Sequence, residues 1–291
     1  MIPEASVIIP TYSDWHALQK CLDCLAQQSI ALHRFEVIVA NNNPLSEVPS
    51  TLQLPSNARV IHVPKPGSYA ARNAALREAC GDAFFFTDSD CQPDTHWIEN
   101  GLTTLKGLAP IDRIAGAVEL FAKGKTWTAA GLYEFMYMFN QSKFSENGWA
   151  ATANLVTSRA AFDLVGPFNE DGFSGGDRDW GLRAAESGSQ IVFSQATLIR
   201  HPAREDFSAM AKKLRRKIGR THQVEVTSGK VRRSTLSFLF PTRQGIERVM
   251  QDKRLSQADK ARILWIEYRL SLVSFFEYVR LRYLFGSPNR S

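Results

Sequence analysis

Two carboxylates, Asp88 and Asp90, stand one residue apart at the end of the apolar run Phe84-Phe85-Phe86-Thr87. In an extended chain that spacing sets both on the same side, which is how hard divalent cations are offered oxygen ligands. Asp-Ser-Asp serves equally well as a solvated turn, so the pair alone leaves both readings open. A second acidic pair, Asp177 and Asp179, follows the flexible stretch Gly172-Phe173-Ser174-Gly175-Gly176 and opens a helix running to about Glu186. Acids in a first turn are favoured by the helix dipole, and that alone could account for them. His201 follows a short apolar strand and precedes Pro202, which fixes the direction of the chain. A lone His caps or packs as readily as it binds a metal.

Groups so placed need strand ends to hold them. Ser6-Val7-Ile8-Ile9-Pro10 reads as a strand, Leu18, Cys21, Leu22 and Leu25 recur at helical spacing, and Phe35-Glu36-Val37-Ile38-Val39-Ala40 reads as a second strand. Strand, helix, strand opens a parallel sheet. Residues 59–63 supply a third strand, residues 69–79 an Ala-rich helix, and the Phe84 run a fourth strand buried on both faces. Open sheets of this kind bind ligands beyond the carboxyl ends of their strands, where Asp88 and Asp90 fall. No GxGxxG follows any of these strands; Thr11-Tyr12-Ser13-Asp14 stands after the first. A nucleotide's phosphates must then be held by other means, and a divalent cation at Asp88 and Asp90 is such a means. Further on, residues 114–121 predict a strand, 126–140 an aromatic helix packed on the sheet, and 190–193 and 197–200 two short closing strands.

Charge is segregated. Residues 203–291 hold 20 Lys and Arg against 8 Asp and Glu, a net +12, which leaves −6 for residues 1–202 of a chain whose total is +6. Residues 212–220 concentrate six cations on one helix, and residues 263–285 set Ile263, Ile266, Leu270 and Val273 at helical spacing among arginines. Such helices lie in a headgroup layer with their cations toward anionic lipid, or pack against the remainder of the chain or a second copy. The acidity of residues 1–202, with no zinc finger or RNP signature, argues against nucleic acid as partner. Cys21 and Cys24 form a CxxC inside a helical pattern with no second half to complete a zinc site, which predicts buried thiols. The amino terminus has no basic and apolar leader, and the charge-free part of the late apolar segment, residues 270–276, is too short to span a bilayer. A cytoplasmic protein is expected.

Ser6-Val7-Ile8-Ile9-Pro10-Thr11-Tyr12, Glu36-Val37-Ile38-Val39, Ala70-Ala71-Arg72-Asn73-Ala74 and Asp88-Ser89-Asp90, taken in that order, resemble the successive motifs of family 2 glycosyltransferases with the GT-A fold. The resemblance continues through Ala153-Asn154, Gly175-Gly176-Asp177-Arg178-Asp179-Trp180 and His201-Pro202. It implies a Rossmann-like, mostly parallel sheet flanked by helices, with residues 1–205 as catalytic domain; the charge and helical spacing of residues 206–291 make them a basic helical extension, expected at the inner face of the plasma membrane. The resemblance also implies inverting transfer of a sugar from a nucleotide-diphosphate donor to a glycan or lipid-linked acceptor hydroxyl, in cell-surface polysaccharide synthesis, with Mg²⁺ or Mn²⁺ as cofactor.

Carried over residue by residue, Pro10, Thr11 and Tyr12 match the loop along the nucleoside, and Asn41 stands where the family has an Asp that touches base or ribose. Arg72 matches a donor-binding Arg, Asp88 and Ser89 belong to the donor motif, and Asn154 lies near the donor sugar. Asp88, Asp90 and His201 match the metal ligands. Asp177 aligns with the catalytic base, with Asp179 in reserve, because a sugar hydroxyl needs a carboxylate in reach to become a nucleophile. Trp149, Gly176 and Trp180 fall on the acceptor side, and Gly176 replaces a Glu of the family motif. That replacement keeps open a member of the fold that binds nucleotide sugar without turning it over. A nucleotidyltransferase is the other enzymatic alternative, though the glycine-rich signature it wants after the first strand is not there. Oligomeric state is left open.

Overall fold

The apolar runs become the strands of a mixed sheet in the computed structural model, which describes residues 2–171, 174–228 and 234–284. Gly172 and Phe173 of the glycine-rich stretch, and Phe285 onward in the tail, lie outside the described residues. The strands are β1 (Ala5–Thr11), β2 (Phe35–Asn41), β3 (Ala58–His62), β4 (Ala83–Phe86), β5 (Gln92–Pro93), β6 (Arg113–Phe121), β7 (Leu155–Ser158) and β8 (Ile191–Pro202). Their order across the sheet is β3-β2-β1-β4-β7-β6-β8-β5. β1 pairs in parallel with β2 and β4, and β2 with β3. β7 runs antiparallel to β4 and β6, and β5 antiparallel to β8. The helices are α1 (Trp15–Ala26), α2 (Ser68–Glu78), α3 (Trp97–Lys106), α4 (Ala129–Tyr137), α5 (Gln141–Ser145), α6 (Arg159–Val165), α7 (Gly176–Glu186), α8 (Phe207–Ser228), α9 (Arg243–Gln251) and α10 (Gln257–Tyr283). The expected α/β sheet flanked by helices is present.

The three phenylalanines of β4 explain why that strand is apolar at every position. Side chains alternate across a sheet, so Phe85 faces α1 and α3, with its ring edge-on to Trp97 at 5.1 Å, in a core shared with Val7, Ile9 and Val37. Phe84 and Phe86 face the opposite way, onto Phe162 of α6, Phe168 and Trp180 of α7. Each fully buried Phe contributes roughly 1.5–3 kcal/mol. β4 therefore holds its carboxyl end rigidly between two packed layers, and the Asp88 loop leaves from that end. α1 forms as its apolar spacing predicts, capped by Asp14, whose Oδ1 accepts from the Ala17 amide, and it buries Leu18, Cys21, Leu22 and Leu25. Of the CxxC pair, Cys21 is buried and Cys24 half-buried, both as free thiols.

Two expectations are corrected. Residues 191–202 form one strand rather than two: at a local bend Ser194 Oγ accepts from the Thr197 amide at 3.3 Å and meets the Thr197 hydroxyl at 2.9 Å, so the bend is satisfied within the strand instead of ending it. The aromatic helix α4 packs among the C-terminal helices. Leu132 and Met136 meet Val249 and Ile263, and Ala130 meets Met210, Ile266 and Leu270. The stripe Ile263, Ile266, Leu270 on α10 is thereby buried.

The chain divides into two compact units, one of Met1–Glu119 with Phe139–His201 and one of Leu120–Met138 with Pro202–Ser291. Within the second, the Tyr137 hydroxyl donates to Glu267 at 2.8 Å, and Arg204 pairs with the buried Glu134 at 2.8 Å. Among the described residues no helix is long and apolar enough to cross a membrane.

Candidate active site

Strand ends of the parallel half supply the first group of side chains. Pro10 is half-buried at the end of β1, Thr11 is buried, and Tyr12 beyond them is 68% exposed. Among the described residues the Thr11 Oγ1 has no partner, which leaves a buried hydroxyl for a polar ligand. Thr11 lies beside Asn41 in the β1–β2 register. The Asn41 amide is used within its own loop: Oδ1 accepts from the Asn43 amide at 3.1 Å and Nδ2 donates to the Ser46 carbonyl at 2.8 Å. Asn42, which sequence reasoning missed, donates to the Val63 and Lys65 carbonyls and accepts from the Gly67 amide at 2.6 Å. It ties the exit of β2 to the start of α2. Nothing in its spacing signals this, since all three partners lie in another loop.

Asp88, Ser89 and Asp90 follow β4 and are half-buried. Arg72, from the first turns of α2, is 3% exposed and sets Nη2 at 2.5 Å from Asp88 Oδ1, while its Nε has no partner among the described residues. His201 Nε2 lies 3.5 Å from Asp90 Oδ1, and its ring packs at a tilt against Phe139, centroids 4.5 Å apart. Phe139 holds that place with φ 53, a left-handed conformation uncommon for a bulky residue. The two-residue strand β5, not anticipated from the sequence, makes the juxtaposition: Gln92 pairs with Arg200, so Asp90 and Cys91, just before β5, meet His201 near the end of β8.

Ligand atoms of Asp88, Asp90, Cys91 and His201 fall within 4.8 Å of one another. Mn²⁺ and Mg²⁺ favour oxygen and imidazole donors over sulfur, and burial pushes the Cys91 thiol well up, against its thiolate. What remains, two carboxylates and an imidazole, is a donor set that fits a divalent cation such as Mn²⁺ or Mg²⁺.

Asp177 sits in the first turn of α7 and is half-buried. Burial pushes its carboxyl up, against the Arg178 amide and the Arg72 guanidinium, and the nearby Asp88 adds to the rise. Asp177 therefore lies within electrostatic reach of the Arg72–Asp88 pair. Tyr69, another residue missed in the sequence, makes the physical link: its Oη is 3.4 Å from Asp177 Oδ1 and 3.3 Å from the Asp177 amide. Burial raises the Tyr69 hydroxyl to about 12, so it remains a donor.

Asp179 points elsewhere, since two residues along a helix is a turn of about 200°. It pairs with Arg183 at 3.6 Å and lines a cavity of about 510 Å³ with Lys65 and Glu170. Asn154 belongs to the core. It is fully buried, accepts from Trp97 Nε1 at 2.9 Å and donates to the Ala117 and Thr197 carbonyls at 2.8 Å, so its amide is wholly engaged in the fold. Trp180 is likewise core: 0% exposed, stacked on Phe162 at 4.5 Å and bonded to the Gly166 carbonyl. Gly176 is buried against the Tyr69 ring. Trp149 is half-buried and stacks on Phe144 at 4.1 Å.

A family model described as glycosyl transferase family 2 matches residues 6–165. The chain is 34% identical over 218 residues to the glycosyltransferase AglE of Haloferax volcanii, covering 73% of this chain and 71% of that protein. Among solved structures, the fold resembles the mannosyltransferase PcManGT of Pyrobaculum calidifontis in complex with GDP-Man and Mn²⁺, with TM-score 0.55 and 15% identity over 99% of this chain and 77% of that one. It also resembles S. aureus TarS in complex with UDP-GlcNAc, with TM-score 0.53 and 17% identity over 96% of this chain and 76% of that one.

Proposed function

The chain belongs to glycosyl transferase family 2 and is a glycosyltransferase, and from that premise we propose that it moves a sugar from a nucleotide-diphosphate donor to an acceptor hydroxyl by a single, inverting displacement. The observation that carries this reading is the convergence on one helical turn: Arg72 holds Asp88, and Tyr69 holds Asp177. Thr11 and Tyr12 lie along the nucleoside, while the Arg72 Nε and the Thr11 hydroxyl offer polar contacts to it and its phosphates. Asp88, Asp90 and His201 would hold Mn²⁺ or Mg²⁺, which when bound offsets the charge that builds on the departing nucleotide diphosphate. Asp177 takes the proton from the acceptor hydroxyl, and its partly desolvated carboxylate is a stronger base for it. The half-exposed Trp149 offers a ring for an acceptor sugar.

The acceptor in this reading is a glycan or lipid-linked sugar of a cell-surface polysaccharide, met at the inner face of the plasma membrane. Two features of the second unit support attachment to an anionic bilayer. α8 carries Lys212, Lys213, Arg215, Arg216, Lys217 and Arg220. α10 exposes Trp265, Phe276 and Tyr283, which share one face because they are separated by about three and two full turns.

A screen of UDP- and GDP-sugars with Mn²⁺ tests the reaction. One of them should be transferred or slowly hydrolysed, and Asp90→Ala should abolish this; undiminished transfer by Asp90→Ala would remove the metal-assisted reading. Sedimentation with phosphatidylserine vesicles, lost in high salt, tests the attachment, and failure to sediment at low salt would end it.

A further inference from the structure

α7 begins without a cap of its own. Its N-cap is Gly175, in a left-handed conformation at φ 72 and without a side chain; Asp177 Oδ1 takes the Arg178 amide at 2.9 Å, which leaves the Asp177 amide to be satisfied. Helix starts leave such N–H groups orphaned, and a Ser, Thr, Asp or Asn oxygen ordinarily takes one of them. Here the oxygen comes from another element: the Tyr69 hydroxyl accepts from the Asp177 amide at 3.3 Å and faces the same residue's Oδ1 at 3.4 Å. The ring reaches that place because residue 176 is glycine. A Cβ there would stand 2.7 Å from the Tyr69 ring, closer than real Cβ contacts come.

The geometry points to Tyr69 as a positioning residue: it caps α7 from α2 and donates to the Asp177 carboxylate, aiming that carboxylate at the acceptor, with Gly176 leaving the room that admits its ring. This rests on Asp177 as the base. The group also feels Arg72 of α2 and Asp88 beyond β4, which Tyr69→Phe leaves in place.

The test compares full-length wild type, Tyr69→Phe, Asp177→Asn and the double variant, with Mn²⁺ and the nucleotide sugar that the wild type accepts. Tyr69→Phe keeps the ring and should lower kcat about tenfold with donor KM within about twofold. Losing a donor to the carboxylate should also move the acidic limb of kcat/KM to higher pH, which a packing role would not. The double variant should be no slower than Asp177→Asn. A wild-type kcat and pH profile in Tyr69→Phe, or losses that multiply in the double variant, would overturn the proposal. If the wild type transfers no sugar, the transferase reading fails by itself, and thermal unfolding of the same four proteins still judges the contact. Changes in Tm that fail to add support it; additive changes overturn it.

Discussion

Arg72 Nη2 lies 2.5 Å from Asp88 Oδ1, and the residue three places earlier on the same helix, Tyr69, meets Asp177. One turn of α2 thus ties the loop after β4, through Asp88, to the first turn of α7, through Asp177. Residues at i and i+3 share a helix face, so any tilt of α2 moves both contacts together.

Arg72→Lys should separate charge from shape. A lysine keeps the positive charge near Asp88 but has neither the fork nor a second nitrogen to offer a phosphate. Donor KM should rise roughly tenfold with a smaller change in kcat. Steady-state kinetics that returned an unchanged KM would take Arg72 out of donor binding.

Asp177→Asn should lower kcat by about 10²–10⁴ and leave nucleotide binding intact, as measured by calorimetry with the nucleoside diphosphate and Mn²⁺. It should also stabilise the protein at neutral pH. The folded carboxyl is raised above its unfolded value, so its contribution to stability is full at low pH and is lost as pH rises through the folded pKa. Tm of the variant minus that of wild type should therefore grow with pH above the ordinary Asp range. A difference that shrank with rising pH would contradict the raised value.

Asn154→Ala should damage folding and spare donor binding. Truncation leaves the Trp97 indole N–H and two buried carbonyls without their partner, a loss of about 2–4 kcal/mol. Denaturant unfolding reads the loss, and donor KM of the folded fraction should match wild type. A raised KM at unchanged stability would return Asn154 to the donor site.

Arg113→Met should be as costly and equally silent in KM. Arg113 is fully buried and is depressed to about 10 by that burial, and its guanidinium donates to Ser189 Oγ and to the Gly148, Gly181 and Ser189 carbonyls. Removing it orphans those acceptors, for about 2–4 kcal/mol. Unfolding free energy within about 0.5 kcal/mol of wild type would mean that the carbonyls find other donors.

The strand ends were legible in the amino-acid sequence. Continuous apolar runs such as Phe84-Phe85-Phe86 can be buried on both faces, and the residues next after each run are set by the chain itself, so Thr11, Asn41 and Asp88 were legible without coordinates. The same local logic placed Asp177 at the start of α7. Which side chains stay accessible and which enter the core is set by contacts between residues far apart in the chain. Asn154 and Trp180 look like site residues by position, yet buried partners engage their polar atoms, and those partners are up to 57 positions away. Tyr69 and Asn42 carry no periodic signal, because each acts on another element through a single hydroxyl or amide. The meeting of Asp90 with His201 depends on β5 pairing with β8, a contact too short to leave a pattern in the sequence.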